Sequence, residues 1–356
     1  MKHPDIVTLD SLAEFSDIID VRSPAEFEED HIPGAINCPV LSNEERITVG
    51  TLYKQVSPFE AKKVGAALVA KNIAHHLQSR FQQHGKGWKP LVYCWRGGSR
   101  SGAMTHILRQ VGWPASQLQG GYKVFRTHVL GQLAELPKLF HYHVLCGETG
   151  SAKSRVLEAM ARMGAQVLDL EGMACHKGSV LGVLPNVPQP SQKWFETQVW
   201  HTLRNMDPAR PVWVEAESKK IGSLRVPEAL FDTMTHRGSV VRLDVPVQAR
   251  VEFLLRDYDY FLKDPSRLQI QLNYLRSLHG QAVIDRWHAM AQHGAWAELV
   301  EALLTQHYDP AYRKSTPRNL QGFAKAHVVH SESLSDAGIQ QMASQMLALL
   351  QQQDGS

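Results

Sequence analysis

Only four cysteines occur in 356 residues, Cys38, Cys94, Cys146 and Cys175, and no two form a C-x-x-C pair. That scarcity excludes a disulfide framework and speaks against a structural zinc site. No apolar run approaches the ~20 residues that span a bilayer, and the first residues lack the apolar stretch of a secretion signal. The formal net charge is only +3, too small by itself to demand a nucleic-acid partner. Eighteen histidines and local Lys/Arg clusters still leave room for a basic face. No internal repeat is visible. What remains is an ordinary globular composition, 43% hydrophobic and 21% charged, in a chain long enough for two domains. A cytoplasmic location and no membrane association are the expectations.

Strand-like runs alternate with helical stretches over residues 1–128, which implies a mostly parallel sheet covered on both faces. Ile18-Ile19-Asp20-Val21 reads as a buried strand, and Pro24-Ala25-Glu26-Phe27 as a helix start with proline in its first turn. Leu91 to Cys94 is a further strand, followed by a helix over Ser101–Gly112 with apolar Ala103, Ile107 and Val111. Gln119-Gly120-Gly121-Tyr122 closes this unit with a glycine-rich turn. Residues 129–137, ending at Pro137, read as a helical joint. Over 138–356 a second α/β unit begins, with strands at Phe140–Cys146, Gln166–Leu170, Pro211–Glu215 and Ser239–Asp244. From Val247 to Leu350 the pattern is helical almost throughout.

Two loops suited to anions follow strands. The first is Cys94-Trp95-Arg96-Gly97-Gly98-Ser99-Arg100-Ser101. A thiolate is the nucleophilic form of cysteine, so such a loop must lower the thiol below its free pKa of about 8.5. Paired glycines let successive N–H groups face one centre, Arg96 and Arg100 add charge, and the next helix adds its N-terminal dipole. The second loop, Gly147-Glu148-Thr149-Gly150-Ser151-Ala152-Lys153-Ser154, follows the P-loop pattern with alanine in place of the second glycine. Lys153 would bridge phosphate oxygens and Ser154 could ligate Mg2+. At strand ends, Asp169, Glu171, Glu215 and Glu217 are candidates for a metal or for acid–base work.

Ile19-Asp20-Val21-Arg22 with Glu26-Phe27, His31-Ile32-Pro33-Gly34-Ala35-Ile36-Asn37 and the Cys94 loop together resemble a rhodanese domain over the first third of the chain. Arg100 lies six residues after Cys94, as in the C-x-x-x-x-x-R cradle of related phosphatases, rather than the five of short rhodanese loops. Further on come Asp169-Leu170-Glu171-Gly172, His176-Lys177-Gly178-Ser179, Gln189-Pro190-Ser191-Gln192-Lys193 with Phe195-Glu196, Glu215-x-Glu217-Ser218-Lys219-Lys220-Ile221-Gly222 and His307-Tyr308-Asp309-Pro310. With both loops, these resemble the bacterial tRNA 2-selenouridine synthases over essentially the whole chain.

The resemblance implies a rhodanese-like parallel-sheet domain followed by a P-loop NTPase-like α/β domain with a helical C-terminal part. It implies exchange of sulfur for selenium in 2-thiouridine at the wobble position, position 34, of tRNAs for lysine, glutamate and glutamine. Selenophosphate and geranyl diphosphate would be co-substrates, with the tRNA anticodon arm as partner and no tightly bound cofactor. Cys94, Arg96 and Arg100 would be catalytic, the rest of that loop would hold selenophosphate, and Lys153 and Ser154 would hold the prenyl diphosphate. For RNA, the candidates are Lys219-Lys220 with Arg225, Arg250 with Arg256 and Lys263, and Arg313-Lys314 with Arg318, with Tyr258, Tyr260 and Phe261 able to stack a base. Two other readings stay open: a sulfurtransferase or thiol phosphatase fused to a nucleotide-binding domain, and a non-catalytic phosphate or RNA sensor. Tyr93, where phosphatases carry histidine, weighs against the phosphatase.

Overall fold

The computed structural model describes residues 5–179 and 181–353. The chain divides into two compact units, the first running to Gln132 with Glu196–Gln198, the second taking Leu133–Phe195 and Val199 onward. Five short strands build the first unit's sheet: β1 Ile6–Val7, β2 Asp17–Asp20, β3 Ala35–Asn37, β4 Pro90–Tyr93 and β5 Ser116–Leu118. They pair in the order β1-β5-β4-β2-β3, all parallel. Parallel strands need crossover connections. These are supplied by α1 Pro24–Glu29, the antiparallel pair α2 Asn43–Gln55 and α3 Pro58–His76, and α4 Ser99–Val111. Central β4 is buried at all four residues, so its end delivers Cys94 beneath the sheet's upper edge. α1 opens on a capping box, with Ser23 and Glu26 exchanging hydrogen bonds and Pro24 at the first turn. The buried face of α4 is Ser101, Met104, Thr105 and Leu108; Val111, expected on that face, is exposed. The Asp20–Arg22 motif is structural. Arg22 Nη2 lies 2.6 Å from Asp20 and donates to Asp30 O, with its guanidinium 4.0 Å from the Tyr122 ring centroid.

α5 Gly121–Glu135 runs through most of the expected joint, and a 3-10 turn, Leu136–Leu139, follows it. The second unit's sheet consists of β6 Tyr142–Gly147, β7 Gln166–Leu168, β8 Val212–Glu215, β11 Ser239–Asp244 and β12 His327–His330. Its order is β12-β11-β6-β8-β7, again all parallel. α6 Lys153–Arg162 and α17 Asp336–Gln353 cover one face in a core that includes Val156, Met160, Leu243 and Met346. β12 departs from the helical reading of this region: a single four-residue strand returns to pair with β11 after seven α-helices. α7 Leu170–Ala174 and α8 Gln192–Arg204 precede β8, and α9 Glu228–Arg237 precedes β11. Between β8 and α9, β9 Lys220–Ile221 and β10 Leu224–Arg225 make an antiparallel hairpin. Gln189 and Gln192 brace it through Ile221 O, Ser223 N–H and both backbone groups of Arg225.

The helical part comprises α10 Val247–Asp257, α11 Asp259–Lys263, α12 Pro265–Asn273, α13 Arg276–His279, α14 Gln281–Gln292, α15 Trp296–Leu303 and α16 Asp309–Asn319. Two expectations for RNA contact fail here. Phe261 is buried in this part's apolar cluster with half-buried Tyr258 and Tyr260 packed around it, because three consecutive aromatics beside Leu268 and Leu272 form a core. Arg250 is only 1% exposed and forms a bidentate pair with Asp309, both bonds 2.9 Å. It also donates to Thr149 O at 3.1 Å and faces Glu148, so its charge stiffens the second anion loop. Removing one partner of a buried pair leaves the other charge uncompensated. Asp309→Ala is therefore expected to lose about 3 kcal/mol in urea denaturation, the low end of such losses because Glu148 still faces the guanidinium. A loss under half of that would show that the pair is not structural.

Candidate active site

Cys94 follows β4 directly and is 4% exposed. Burial pushes its thiol up, yet the hydrogen bonds of Ser101, the Gly98 N–H and the Arg100 charge outweigh that and hold it below its ordinary value. Ser101 Oγ donates to Sγ at 3.1 Å and Gly98 N–H at 3.3 Å. Gln117 Nε2 fixes the Ser101 hydroxyl from below at 2.9 Å. Arg100 faces the loop but is held bidentately by Glu26, at 2.7 and 3.2 Å, which takes up part of its charge. Arg96 and Ser99 are exposed, and Trp95 leans on Tyr122 with ring centroids 5.2 Å apart. The loop curls because Gly97 adopts φ +66°, where a Cβ would sit 2.6 Å from Leu118 O. Gly121 matters equally, although the sequence showed it only as a turn. The Tyr122 and Lys123 N–H groups donate to Cys94 O and Trp95 O, and a Cβ at Gly121 would lie 2.2 Å from Cys94 O. Two adjacent glycines just after the last strand were the available signal.

The second loop joins β6 to α6. Ala152 holds the left-handed conformation, φ 60° and ψ 28°, that a glycine would adopt without cost. The alanine methyl is accommodated, buried, at a strain of about 1–2 kcal/mol. Lys153 Nζ donates to Gly147 O at 3.0 Å, which folds the ammonium over the loop. Gly150, at φ +83°, packs against Leu254 closely enough that a Cβ would fall 2.8 Å from it. Buried Ser151 and loop residue Thr149 complete the turn, and Ser154 Oγ donates to Glu171 at 3.1 Å. The loop opens on a cavity of about 580 Å3 lined by Lys153, Ser154, Glu171, Glu217, His176 and Lys177 among others.

Glu171 and Glu217 line this cavity and buried Glu215 joins them, each offering an oxygen within 4.8 Å of the others. Asp169 lines the same cavity without joining the cluster: it is exposed and caps α7 by accepting from Gly172 N–H. Burial first, and then a neighbouring carboxylate, pushes Glu171 up to about 7, Glu215 to about 8 and Glu217 to about 7. Both oxygens of Glu215 are buried without a hydrogen-bond partner. Gly178 lets the His176–Ser179 loop close over the cluster, since a Cβ there would sit 2.5 Å from Glu171. Three convergent carboxylates beside a serine hydroxyl fit a hard cation with oxygen ligands. They equally fit a site that stores a proton near neutral pH.

Among the RNA candidates, Lys219 and Lys220 are exposed on the β9–β10 hairpin. Arg256 is exposed but donates to Leu334 O, and Arg313 pairs with Glu148. No helix among the described residues is long and apolar enough to cross a membrane.

A buried thiol on a parallel sheet and a lysine-bearing strand–helix turn define a rhodanese-like unit joined to a P-loop-type unit. Residues 7–128 match the Rhodanese-like domain and residues 140–268 the tRNA 2-selenouridine synthase AAA domain. The chain is 34% identical over 272 residues to the tRNA 2-selenouridine synthase of Nitrosomonas europaea, covering 72% of this chain and 68% of that protein. Against the synthase of Aeromonas salmonicida it is 34% identical over 83% of this chain and 86% of that one. For that of Alcanivorax borkumensis the figures are 30%, 83% and 88%. The chain belongs to the tRNA 2-selenouridine synthase family.

Two outcomes test this geometry. Ser101→Ala removes a hydrogen bond that favours the thiolate, so the pH midpoint for iodoacetamide alkylation of the Cys94 peptide should rise by about one unit. An unmoved midpoint would discard Ser101 as the thiolate's partner. The carboxyl cluster gives the opposite kind of signal. A carboxyl whose folded value lies above its unfolded 4.5 stabilises the fold when protonated. That contribution is whole below about pH 4.5 and is lost as pH climbs through 7 to 8. The metal-free protein should therefore melt at a lower temperature near pH 9 than near pH 5, with Glu215→Gln shrinking the difference. Equal pH dependence in both proteins would remove the cluster as its source.

Proposed function

We propose that this chain is a tRNA-modifying transferase, a 2-selenouridine synthase that exchanges the sulfur of wobble 2-thiouridine for selenium from selenophosphate. Family membership supports the reaction class, and the Cys94 sulfur with its two donors is the observation that carries the assignment. The natural route has two steps. The thiouridine sulfur first displaces diphosphate from geranyl diphosphate, which converts a poor leaving group into a thioether. Selenophosphate selenium then adds at C2, geranylthiolate departs and takes a proton, and water removes the phosphoryl group from selenium as phosphate. In the first step Lys153 and Ser154 would hold the diphosphate, with loop N–H groups and the α6 dipole taking up its charge. In the second, the nest around Cys94 would hold the selenium donor's phosphate oxygens, with Arg96 exposed at its rim.

Glu171, Glu215 and Glu217 would hold a Mg2+ ion, if one serves, whose contribution would be charge neutralisation on the diphosphate. Glu26 weakens the case for a phosphatase, because it neutralises part of the Arg100 charge that a phosphate dianion would need. The substrates follow the family's chemistry: tRNAs for lysine, glutamate and glutamine, read at the anticodon arm.

Mass spectrometry of nucleosides, from thiolated tRNA incubated with the protein, separates the steps. With geranyl diphosphate alone, geranylthiouridine should form, and Lys153→Ala should slow it about ten- to hundredfold through loss of a charge-assisted contact. With selenophosphate added, selenouridine should form and Cys94→Ala should abolish it while geranylation continues. Normal selenation by Cys94→Ala, or no selenouridine from the wild type, would overturn this function.

A further inference from the structure

A second, apolar cavity opens beside the Lys153 loop. Thr149, Ser179, Leu254, Tyr258 and Tyr308 line both it and the phosphate-facing cavity, so the two lie side by side. Its deeper wall comes from the helical part: Phe261 of α11, Leu268 of α12, and Leu299 and Leu303 of α15. No charged side chain and no carboxamide lines it; the only polar side chains are hydroxyls and the Trp296 indole. A purine or a ribose buried there would leave its hydrogen-bonding groups unpaired, whereas a hydrocarbon would not. The space is a narrow slot. Its volume is about 70 Å3. That corresponds to roughly five to seven water-sized groups, the bulk of one to two isoprene units.

We propose that this slot holds the hydrocarbon tail of a diphosphate ester whose head lies on the Lys153 loop, and that Leu268, Leu299 and Leu303 set the tail length. The proposal rests on the diphosphate reading above and adds the site of the tail. The arrangement follows from the fold. β6 ends at Gly147 and turns the loop toward α10, where Leu254 packs against Gly150; the Thr149 side of the same turn therefore faces the slot. An anionic head at the loop and an apolar tail in the slot each reach the environment that suits them, in one extended molecule.

The test is calorimetric titration of the full-length protein with inorganic pyrophosphate and with dimethylallyl, geranyl and farnesyl diphosphates. Geranyl diphosphate should bind at least about tenfold more tightly than dimethylallyl diphosphate, because one more isoprene unit leaves water. Leu299→Trp fills the slot and should erase that advantage, with pyrophosphate binding kept within about twofold. Leu303→Ala lengthens the slot and should move the preference toward farnesyl diphosphate. If pyrophosphate binds but the tails bind alike, the slot proposal is overturned while the diphosphate reading stands. Retention of the geranyl advantage by folded Leu299→Trp overturns it too. Should that variant not fold, an unchanged tail preference in Leu303→Ala decides against the proposal. Failure of every ligand to bind, pyrophosphate included, overturns the diphosphate reading and the slot with it.

Discussion

A buried thiolate survives only where donors replace the water it has lost, and the first unit is organised around supplying them to Cys94. Ser101 and Gly98 donate to sulfur, and Gln117 orients Ser101. The loop that presents these groups is pinned from the other side by the N–H groups of Tyr122 and Lys123. Tyr122 is in turn held by Asp30 through its hydroxyl and by the Arg22 guanidinium across its ring. The Asp20–Arg22 motif therefore contributes to the thiolate without touching it: it fixes the ring that fixes the loop. Arginine charge, the obvious way to stabilise an anion, plays a smaller part, since Glu26 already engages Arg100.

The second unit solves a related problem with the opposite sign. Lys153 faces three carboxyls that burial first, and mutual repulsion second, push up to about 7 to 8. Lys153 lowers each of them, yet not enough to make all three anions at once. Added positive charge, whether a cation or a second proton donor, would be drawn there. An anionic ligand on the loop would draw Lys153 away from Gly147 O and raise that demand further. Anion loop and carboxyl cluster are thus coupled electrostatically through one ammonium group.

Both loops were legible in the sequence because each is local: a buried strand, a run of small residues, then a helix start. The Ala152 substitution was visible, but its outcome was not, since only the backbone shows that the left-handed turn is kept. Convergence of Glu171, Glu215 and Glu217 was less readable. Glu171 sits in α7 after β7 whereas Glu215 and Glu217 follow from β8, and Asp169, which looked equivalent, commits an oxygen to capping α7. Arg250 misled because an arginine on an amphipathic helix resembles a surface cation until its partner Asp309, 59 residues away, is known. β12 was hidden for a similar reason: four residues between long helices carry too little periodicity to announce a strand, and β11 supplies the pairing that defines it.

Several of the cations expected to contact RNA are already engaged within the fold. Arg250 is buried, Arg256 is tied to Leu334 O, and Arg313 and Lys263 face Glu148 and Asp259. Exposed charge close to the anion loop's cavity remains on the β9–β10 hairpin, where Lys219, Lys220 and Arg225 follow Glu217 within eight residues. Gln189 and Gln192 hold that hairpin through its backbone, leaving the lysine and arginine side chains outside the bracing bonds. A braced, cationic hairpin that follows Glu217 has the charge that contact with a polyanion calls for. Bracing bears on such contact because a phosphate held by a mobile loop positions nothing, whereas backbone bonds like those of Gln189 and Gln192 hold the cations in register.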